Sequence, residues 1–220
     1  MEFVRIKKMN EAIVVAFDMC SSSDVLEGLT LKGETARLKS FIEKLKHYLA
    51  NAQKDLPFDP YKFTGDGWIL LFPVDTDGPK LLSFLRDFAI YFRKAFKTDV
   101  LTFLDVRPDI TGLTFGVEKG PLVPMTIFQT QEYIGRALNI ACRLQSAIKD
   151  KGGSPAYMAL VSNSVFNSYF SPATGYVVYP VRRQLRNIQG GKAIHCSKID
   201  LLNLKGRPKA AVPNKRTLSK

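Results

Sequence analysis

The segment YKFTGDGWILLF (61–72) constrains the fold most, because it has strand character on both sides of Gly65-Asp66-Gly67. Glycine accepts the positive φ that a tight hairpin needs, so this pattern predicts two antiparallel strands joined by a short turn. A turn does not require a carboxylate, however. Asp66 is therefore either a solvated turn residue or a rigidly held metal ligand, and other segments bear on that choice.

The segments around this hairpin predict an α+β domain. AIVVAFDM (12–19) is an apolar, β-branched run typical of a buried strand, and CSSSD (20–24) is a polar loop that can cap a short helix. Apolar spacing predicts helices from Gly33 to about Lys54, at 81–96 and at 133–149, and strands at 109–122, AYMALVS, GYVVYPV and KAIHCSK, with a short helix near SNSVFNSYF. The order β-α-β-β-α-β-α-β predicts helices on one side of a mainly antiparallel sheet.

Length and charge bound the class of protein. A chain of 220 residues is long enough for one substantial core, which we place at residues 1–200, followed by a basic tail at 201–220. The net charge of +12 favours a polyanionic partner, either a nucleic acid or a nucleoside triphosphate. Nucleic-acid binding predicts basic residues clustered with aromatic residues on one surface, whereas outside the tail the basic residues are scattered through helices as solvated faces, which disfavours it.

The cellular compartment is indicated by the cysteines and by the lack of long apolar segments. No apolar run in the sequence approaches the roughly 20 residues that span a bilayer, and the first residues lack a signal-peptide cleavage region. The three cysteines are widely spaced and odd in number, which fits a reducing environment better than a disulfide framework. We therefore expect a cytoplasmic protein without a membrane anchor.

Two aspartates form the main candidate for chemistry. Asp18 ends the first strand and Asp66 lies at the hairpin turn. In a ferredoxin-like β-α-β-β core the first strand runs centrally beside this hairpin, so the two carboxylates can meet at one edge of the sheet. Convergent carboxylates bind Mg²⁺ or Mn²⁺ when substrate phosphates and water complete the ligand set. The alternative is a pair of solvated loop residues.

The chain resembles the class III nucleotide cyclases from about Ala12 to Ser146, with a weaker continuation to Ile199. The family's first metal motif corresponds to FDMCSSS and its second to KFTGDGWILLF. Its glycine-containing strand corresponds to GLTFGVEKGPL, and its signature helix to EYIGRALNIACRL. Four such motifs in the right order make the resemblance specific. It implies the family's ferredoxin-like, palm-type domain and a metal-dependent cyclisation of a nucleoside triphosphate.

The resemblance also implies roles for individual residues. Asp18 and Asp66, with the backbone of Met19, would hold two Mg²⁺ or Mn²⁺ ions. Asn139 would orient the ribose, and Arg143 would stabilise charge on the α-phosphate. In this family the metal-binding and Asn/Arg elements come from different subunits, so a head-to-tail homodimer with shared sites is implied. Without the other motifs, Asn139 and Arg143 would be read as a polar stripe on an amphipathic helix.

The base-reading positions leave the substrate open. Lys62 lies where adenylate cyclases of the family keep a base-reading lysine, and Glu132 lies where they keep an aspartate. A donor and an acceptor can match adenine, cytosine or uracil. Glutamate is longer than aspartate by one methylene, which favours a smaller pyrimidine ring. The triphosphate would need a basic group from VRRQLRNIQGGK, for which the candidates are Arg182, Arg183, Arg186 and Lys192.

These observations leave several functions in competition. A compact cyclase resembles the bacterial pyrimidine cyclases of anti-phage systems, which make cyclic UMP or CMP for a separate effector, and we favour UTP or CTP on that ground. The alternatives are an adenylate cyclase and a catalytically inactive nucleotide-binding module. The last predicts loss of an aspartate, Asn or Arg, and none is lost. A template-directed polymerase is disfavoured by length, and a diguanylate cyclase by the absence of a GGDEF-type segment.

Overall fold

A computed structural model describes residues 9–148, 154–171 and 175–204, without the side chain of Gln189. The strands are Glu11–Met19 (β1), Asp59–Phe63 (β2), Gly67–Phe72 (β3), Leu113–Pro121 (β4), Val123–Ile127 (β5), Thr130–Ile134 (β6), Met158–Ser162 (β7), Tyr176–Gln184 (β8) and Ala193–Leu204 (β9). The α-helices are Ser22–Leu31 (α1), Thr35–Ala52 (α2), Gly78–Asp99 (α3), Arg136–Ser146 (α4) and the single turn Asn163–Val165 (α5), which continues as a π-turn at Phe166–Phe170.

Seven strands form one sheet in the order β2-β3-β1-β4-β7-β9-β8. Every neighbouring pair is antiparallel except β4 and β7, which are parallel. The predicted α+β class with a mainly antiparallel sheet is therefore confirmed. β1 lies between β3 and β4, as expected for the first strand of a ferredoxin-like core.

Helices cover both faces of the sheet, so the prediction of helices on one side is wrong. Along β1, Ile13, Val15 and Phe17 face a core built with α2 and α3. The alternate residues Ala12, Val14 and Ala16 instead belong to a second cluster that includes Ala137 and Ala141 of α4. The unbroken apolar run of β1 fits this burial on both faces, since a strand covered on one face alternates apolar and polar residues.

Gly116 of β4 allows α4 to approach the sheet closely. A Cβ atom at this position would overlap the backbone carbonyl of Ala141 and approach the backbone nitrogen of Gln145. At Gly120 of the same strand, a Cβ atom would meet only the Cβ of Ala137, at 3.4 Å. The glycine-containing strand is thus explained by packing at Gly116, where the neighbouring backbone cannot move aside without shifting α4.

We expect Gly116→Ala to lower the free energy of unfolding by about 1–3 kcal/mol, because overpacking forces a backbone shift. Gly120→Ala is the matched control and should change stability far less. Urea unfolding followed by circular dichroism measures both variants. Equal losses in the two would show that the close approach at Gly116 does not limit stability.

Several predicted boundaries differ from the structure, and two of them change an element or the domain limit. The helix predicted from residue 133 begins at Arg136, because residues 130–134 form β6 in a two-stranded hairpin with β5. At the other end, β9 runs to Leu204 and so extends four residues past the predicted domain end at 200. The rest of the predicted tail, 205–220, lies outside the described residues. None of the described helices combines the length and apolarity needed to cross a membrane.

Candidate active site

Asp18 and Asp66 are brought together by the pairing of β1 with β3. In this pairing the Cα of Asp18 lies opposite that of Gly67, directly after Asp66. Gly67 has no side chain at a point where a Cβ would overlap the carbonyl of Phe17, and Gly65 has a φ of +104° that favours glycine. Both glycines therefore serve the turn, which holds the Asp66 carboxylate next to that of Asp18.

The electrostatics of this pair favour a bound cation. Burial, then a hydrogen bond with Asp66 and repulsion from its carboxylate, raise the pKa of Asp18 from 3.8 to about 7. A backbone N–H bond from Met19 acts in the opposite direction. The two carboxylates repel each other when both are ionised. A divalent cation would offset this repulsion, so the pair is a suitable donor set for such a cation.

The cavity at the pair is small, about 230 Å³, and is lined on one side by Thr64, Asp66 and Trp68. Its other wall comes from α4 through Cys142, Gln145 and Ser146. An adjoining cavity, lined by Met19 and the serines 21–23, shares Asp18, Gln145 and Ser146 with it. A larger cavity of about 800 Å³ lies between α2 and α3, but none of the predicted site residues lines it.

Gln145 is a site residue that the sequence interpretation missed. Its Nε2 donates to Oγ1 of Thr114 at 2.7 Å, which ties α4 to β4 beside Asp18. The sequence carried no signal for it, because Gln145 lies six positions after Asn139 and two after Arg143 and so is not on their face of the signature helix. No group of three or more Asp, Glu, His or Cys side chains suited to a metal occurs among the described residues. A metal held by Asp18 and Asp66 would therefore need ligands from backbone, substrate or water.

Asn139 and Arg143 lie on α4 but do not line the cavity at the aspartates. Asn139 is exposed and Arg143 half-buried, one helical turn apart on the same face. The face that reaches the cavity instead carries Cys142, Gln145 and Ser146. Within the described residues, the predicted Asn/Arg pair is thus absent from the lining of both cavities at the predicted metal ligands.

Lys62 and Glu132 do come together, although they are 70 positions apart. The Nζ of Lys62 lies 3.4 Å and 3.5 Å from the two carboxylate oxygens of Glu132. The Tyr61 hydroxyl donates a hydrogen bond to Glu132 Oε2. Tyr61 was not among the predicted site residues, because its position on a strand indicated only packing.

The late basic residues lie near one another at the end of β8 and in the loop that follows. Nε of Arg183 donates to the carbonyl of Ala147 at 2.8 Å, at the C-terminal end of α4. Arg182 is exposed on β8, and Arg186 and Lys192 are exposed in the connection to β9. Their assignment to the triphosphate remains a prediction.

Several solved nucleotide cyclases have the same fold as this chain. The guanylyl cyclase Cya2 superposes with a TM-score of 0.66 at 13% identity, over 92% of this chain and 99% of that one. An adenylate cyclase from Trypanosoma brucei gives 0.64 at 11% identity, over 94% and 95% of the two chains. The adenylyl cyclase CyaB from P. aeruginosa gives 0.61 at 14% identity, over 86% and 93%.

Sequence comparison adds nothing to this likeness. No protein-family model and no curated protein matches the chain. At 11–14% identity, these structural matches establish a shared backbone arrangement over almost the whole of each chain. The chain has the fold of the class III adenylyl and guanylyl cyclase catalytic domains.

Proposed function

We propose that this protein is a metal-dependent nucleotide cyclase, and the observation that carries the proposal is the contact between Asp18 and Asp66 at the β2–β3 turn. The reaction joins the ribose 3′-oxygen of a nucleoside triphosphate to its own α-phosphorus. The bond from that phosphorus to the bridging oxygen of the β-phosphate breaks, and pyrophosphate leaves. The hydroxyl proton passes to water, and the products are a 3′,5′-cyclic nucleotide and pyrophosphate.

Each predicted residue has a distinct task in this reaction. Asp18 and Asp66 would hold two Mg²⁺ or Mn²⁺ ions, with the Met19 backbone as a further ligand. When bound, such ions activate the 3′-hydroxyl and neutralise phosphate charge. Asn139 would orient the ribose. Arg143 would donate to the α-phosphate as charge develops there, a task that suits its planar, permanently charged guanidinium.

The positions of these residues within one chain support a head-to-tail homodimer. Asn139 and Arg143 do not line the cavity at the aspartates, as expected if each site takes them from a second copy. The β5–β6 hairpin exposes an apolar surface that a second copy would bury; its exposed residues are Val123, Met125, Ile127, Phe128 and Ile134. Two equivalent sites would result, each shared between both subunits.

Base recognition is assigned to Lys62 and Glu132. Their side chains lie in contact, so together they present a donor and an acceptor to one edge of a base. UTP, or else CTP, is the substrate we favour, because the longer glutamate suits a smaller ring. The product would then be a cyclic pyrimidine messenger of anti-phage defence, sensed by a separate effector, as the resemblance implies. Arg183, Arg186 and Lys192 are the candidates for the triphosphate.

The proposal is tested by incubating the purified protein and Mn²⁺ with ATP, GTP, CTP or UTP and identifying products by mass. We expect mainly cyclic UMP or cyclic CMP, and none with Asp66→Asn. Mainly cyclic AMP would make the protein an adenylate cyclase. No cyclic product from any triphosphate would contradict the proposal and favour a binding module.

A further inference from the structure

The contact between Tyr61 and Glu132 is unusual for its place in the sheet. Tyr61 and Lys62 are consecutive on β2, and consecutive side chains of a regular strand point to opposite faces. Both nevertheless reach the carboxylate of Glu132 on β6. The pairing of β2 with β3 explains this: Asp59 lies opposite Leu71, whereas Lys62 lies opposite Ile69, so β2 carries one extra residue.

This bulge changes the direction of the Tyr61 side chain. β2 is the edge strand of the sheet, where bulges and proline are tolerated, and Pro60 occupies the irregular stretch. Bulges next to functional sites commonly redirect one side chain. Here the redirected residue joins the main sheet to the β5–β6 hairpin, which pairs with no strand of that sheet.

The phenol of Tyr61 is held in place on several sides. Its hydroxyl accepts from the backbone N–H of Tyr133 at 3.1 Å and donates to Glu132 Oε2. Its ring meets the Tyr133 ring edge-on, with centroids 5.4 Å apart, and the residue is only 9% exposed. Burial, above all, raises the pKa of Tyr61 to about 12, so the hydroxyl stays a donor at neutral pH.

Lys62 alone would hold Glu132 less firmly. The lysine side chain is 53% exposed, and exposed ion pairs between long side chains contribute little to fixing a geometry. A buried hydroxyl that bonds a carboxylate makes a shorter and stronger contact. Tyr61 thus holds the Glu132 carboxylate more firmly than Lys62 does.

We propose that Tyr61 is the positioning residue for base selection. It orients the Glu132 carboxylate so that this carboxylate accepts a hydrogen bond from one kind of base while Lys62 donates one to the same base. The inference rests on the proposed function, in which Lys62 and Glu132 read the base. Tyr61 itself does not touch the substrate. Its loss should therefore weaken discrimination between bases and leave the reacting phosphate groups in place.

The test compares Tyr61→Phe with the matched control Tyr133→Phe. The control removes a neighbouring hydroxyl that bonds the backbone nitrogen of Met9, not Glu132. For Tyr61→Phe we expect KM for the preferred triphosphate to rise about tenfold with little change in kcat, and the preference over other triphosphates to fall. Tyr133→Phe should keep the wild-type preference. Thermal unfolding of both variants reports any general loss of structure.

A binding measurement separates this inference from the cyclase proposal. 3′-Deoxynucleoside triphosphates lack the attacking hydroxyl and cannot cyclise, so calorimetry with Mg²⁺ measures base preference alone. If wild type prefers one base and Tyr61→Phe reduces that preference, the inference is supported even when no cyclic product forms. The absence of cyclic product would contradict only the cyclase proposal. An unchanged preference in Tyr61→Phe would overturn the inference. Binding by wild type that does not depend on the base would overturn the inference and also the assignment of base reading to Lys62 and Glu132, but not the cyclase proposal.

Discussion

Asp18→Asn is expected to reduce cyclic nucleotide formation by about a thousandfold or more while leaving the metal-free protein fully folded. Loss of one ligand from a site with two carboxylates removes several kcal/mol of charge stabilisation from the transition state, and each 1.36 kcal/mol is tenfold in rate. The same variant should lose the rise in melting temperature that Mn²⁺ gives to the wild type. Product yield and melting temperature, with and without Mn²⁺, are the measurements.

The pH dependence of stability shows whether the loss of activity in Asp18→Asn could arise from unfolding of the variant. Because the pKa of Asp18 in the metal-free fold is about 7, above its ordinary 3.8, the native state binds the proton more tightly than the unfolded chain does. The free energy of unfolding therefore falls as pH rises through this range. Asn carries no charge, so metal-free Asp18→Asn should melt at a higher temperature than the wild type at pH 8.

Asp24→Asn is the control for this experiment. Asp24 is exposed in the first turn of α1, a few residues after Asp18, and does not line either cavity at the aspartates. It should retain activity, the response to Mn²⁺ and the wild-type pH dependence. Activity that survives in Asp18→Asn would remove this carboxylate from the proposed metal site.

Mixing two inactive variants is expected to restore activity. Arg143→Ala should lower kcat by about a hundred- to a thousandfold, as loss of a donor to developing charge does in other enzymes. Asp66→Asn should be inactive because a metal ligand is lost. If each site takes its aspartates from one subunit and its arginine from the other, a mixed dimer has one intact site and one doubly defective site.

The yield of this complementation follows from counting. Random exchange between equal amounts of the two variants makes about half of the dimers mixed. One of the two sites in each mixed dimer is intact, so we expect about a quarter of wild-type activity per subunit. The variants are mixed, allowed to exchange subunits and assayed for cyclic product. Arg136→Ala, on an exposed arginine of the same helix, is the control and should be active alone. No recovery after confirmed exchange would place the aspartates and Arg143 in one chain's site.

Much of the site could be predicted from local patterns. The apolar run before Asp18 and the glycines around Asp66 each specify one short element, and the position of β1 beside the hairpin follows from the order of elements. Lys62 and Glu132 are paired in the sequence only by their places in motifs, without a physical argument for contact, and the structure places their side chains together. Their roles in base selection, like those of Asn139 and Arg143, remain predictions.

The β5–β6 hairpin was missed for a specific reason. Val123, Met125 and Ile127 do alternate with other residues, as a strand should. The turn between the strands, however, is Phe128-Gln129, and both residues have positive φ, of 47° and 65°. Asn and Gly usually mark such turns. Without that mark, Tyr133 fitted the spacing of the following helix, and the helix was extended too far.

The amino-acid sequence thus specifies which short segments form strands, helices and turns, because period and turn chemistry are local properties. It does not specify the face of the sheet against which α4 packs, since a doubly buried strand looks the same in either case. Nor does it specify that Tyr61 reaches Glu132, 71 positions away. That contact requires a one-residue bulge in β2 and a hairpin folded over it, and both arise only when the elements pack together.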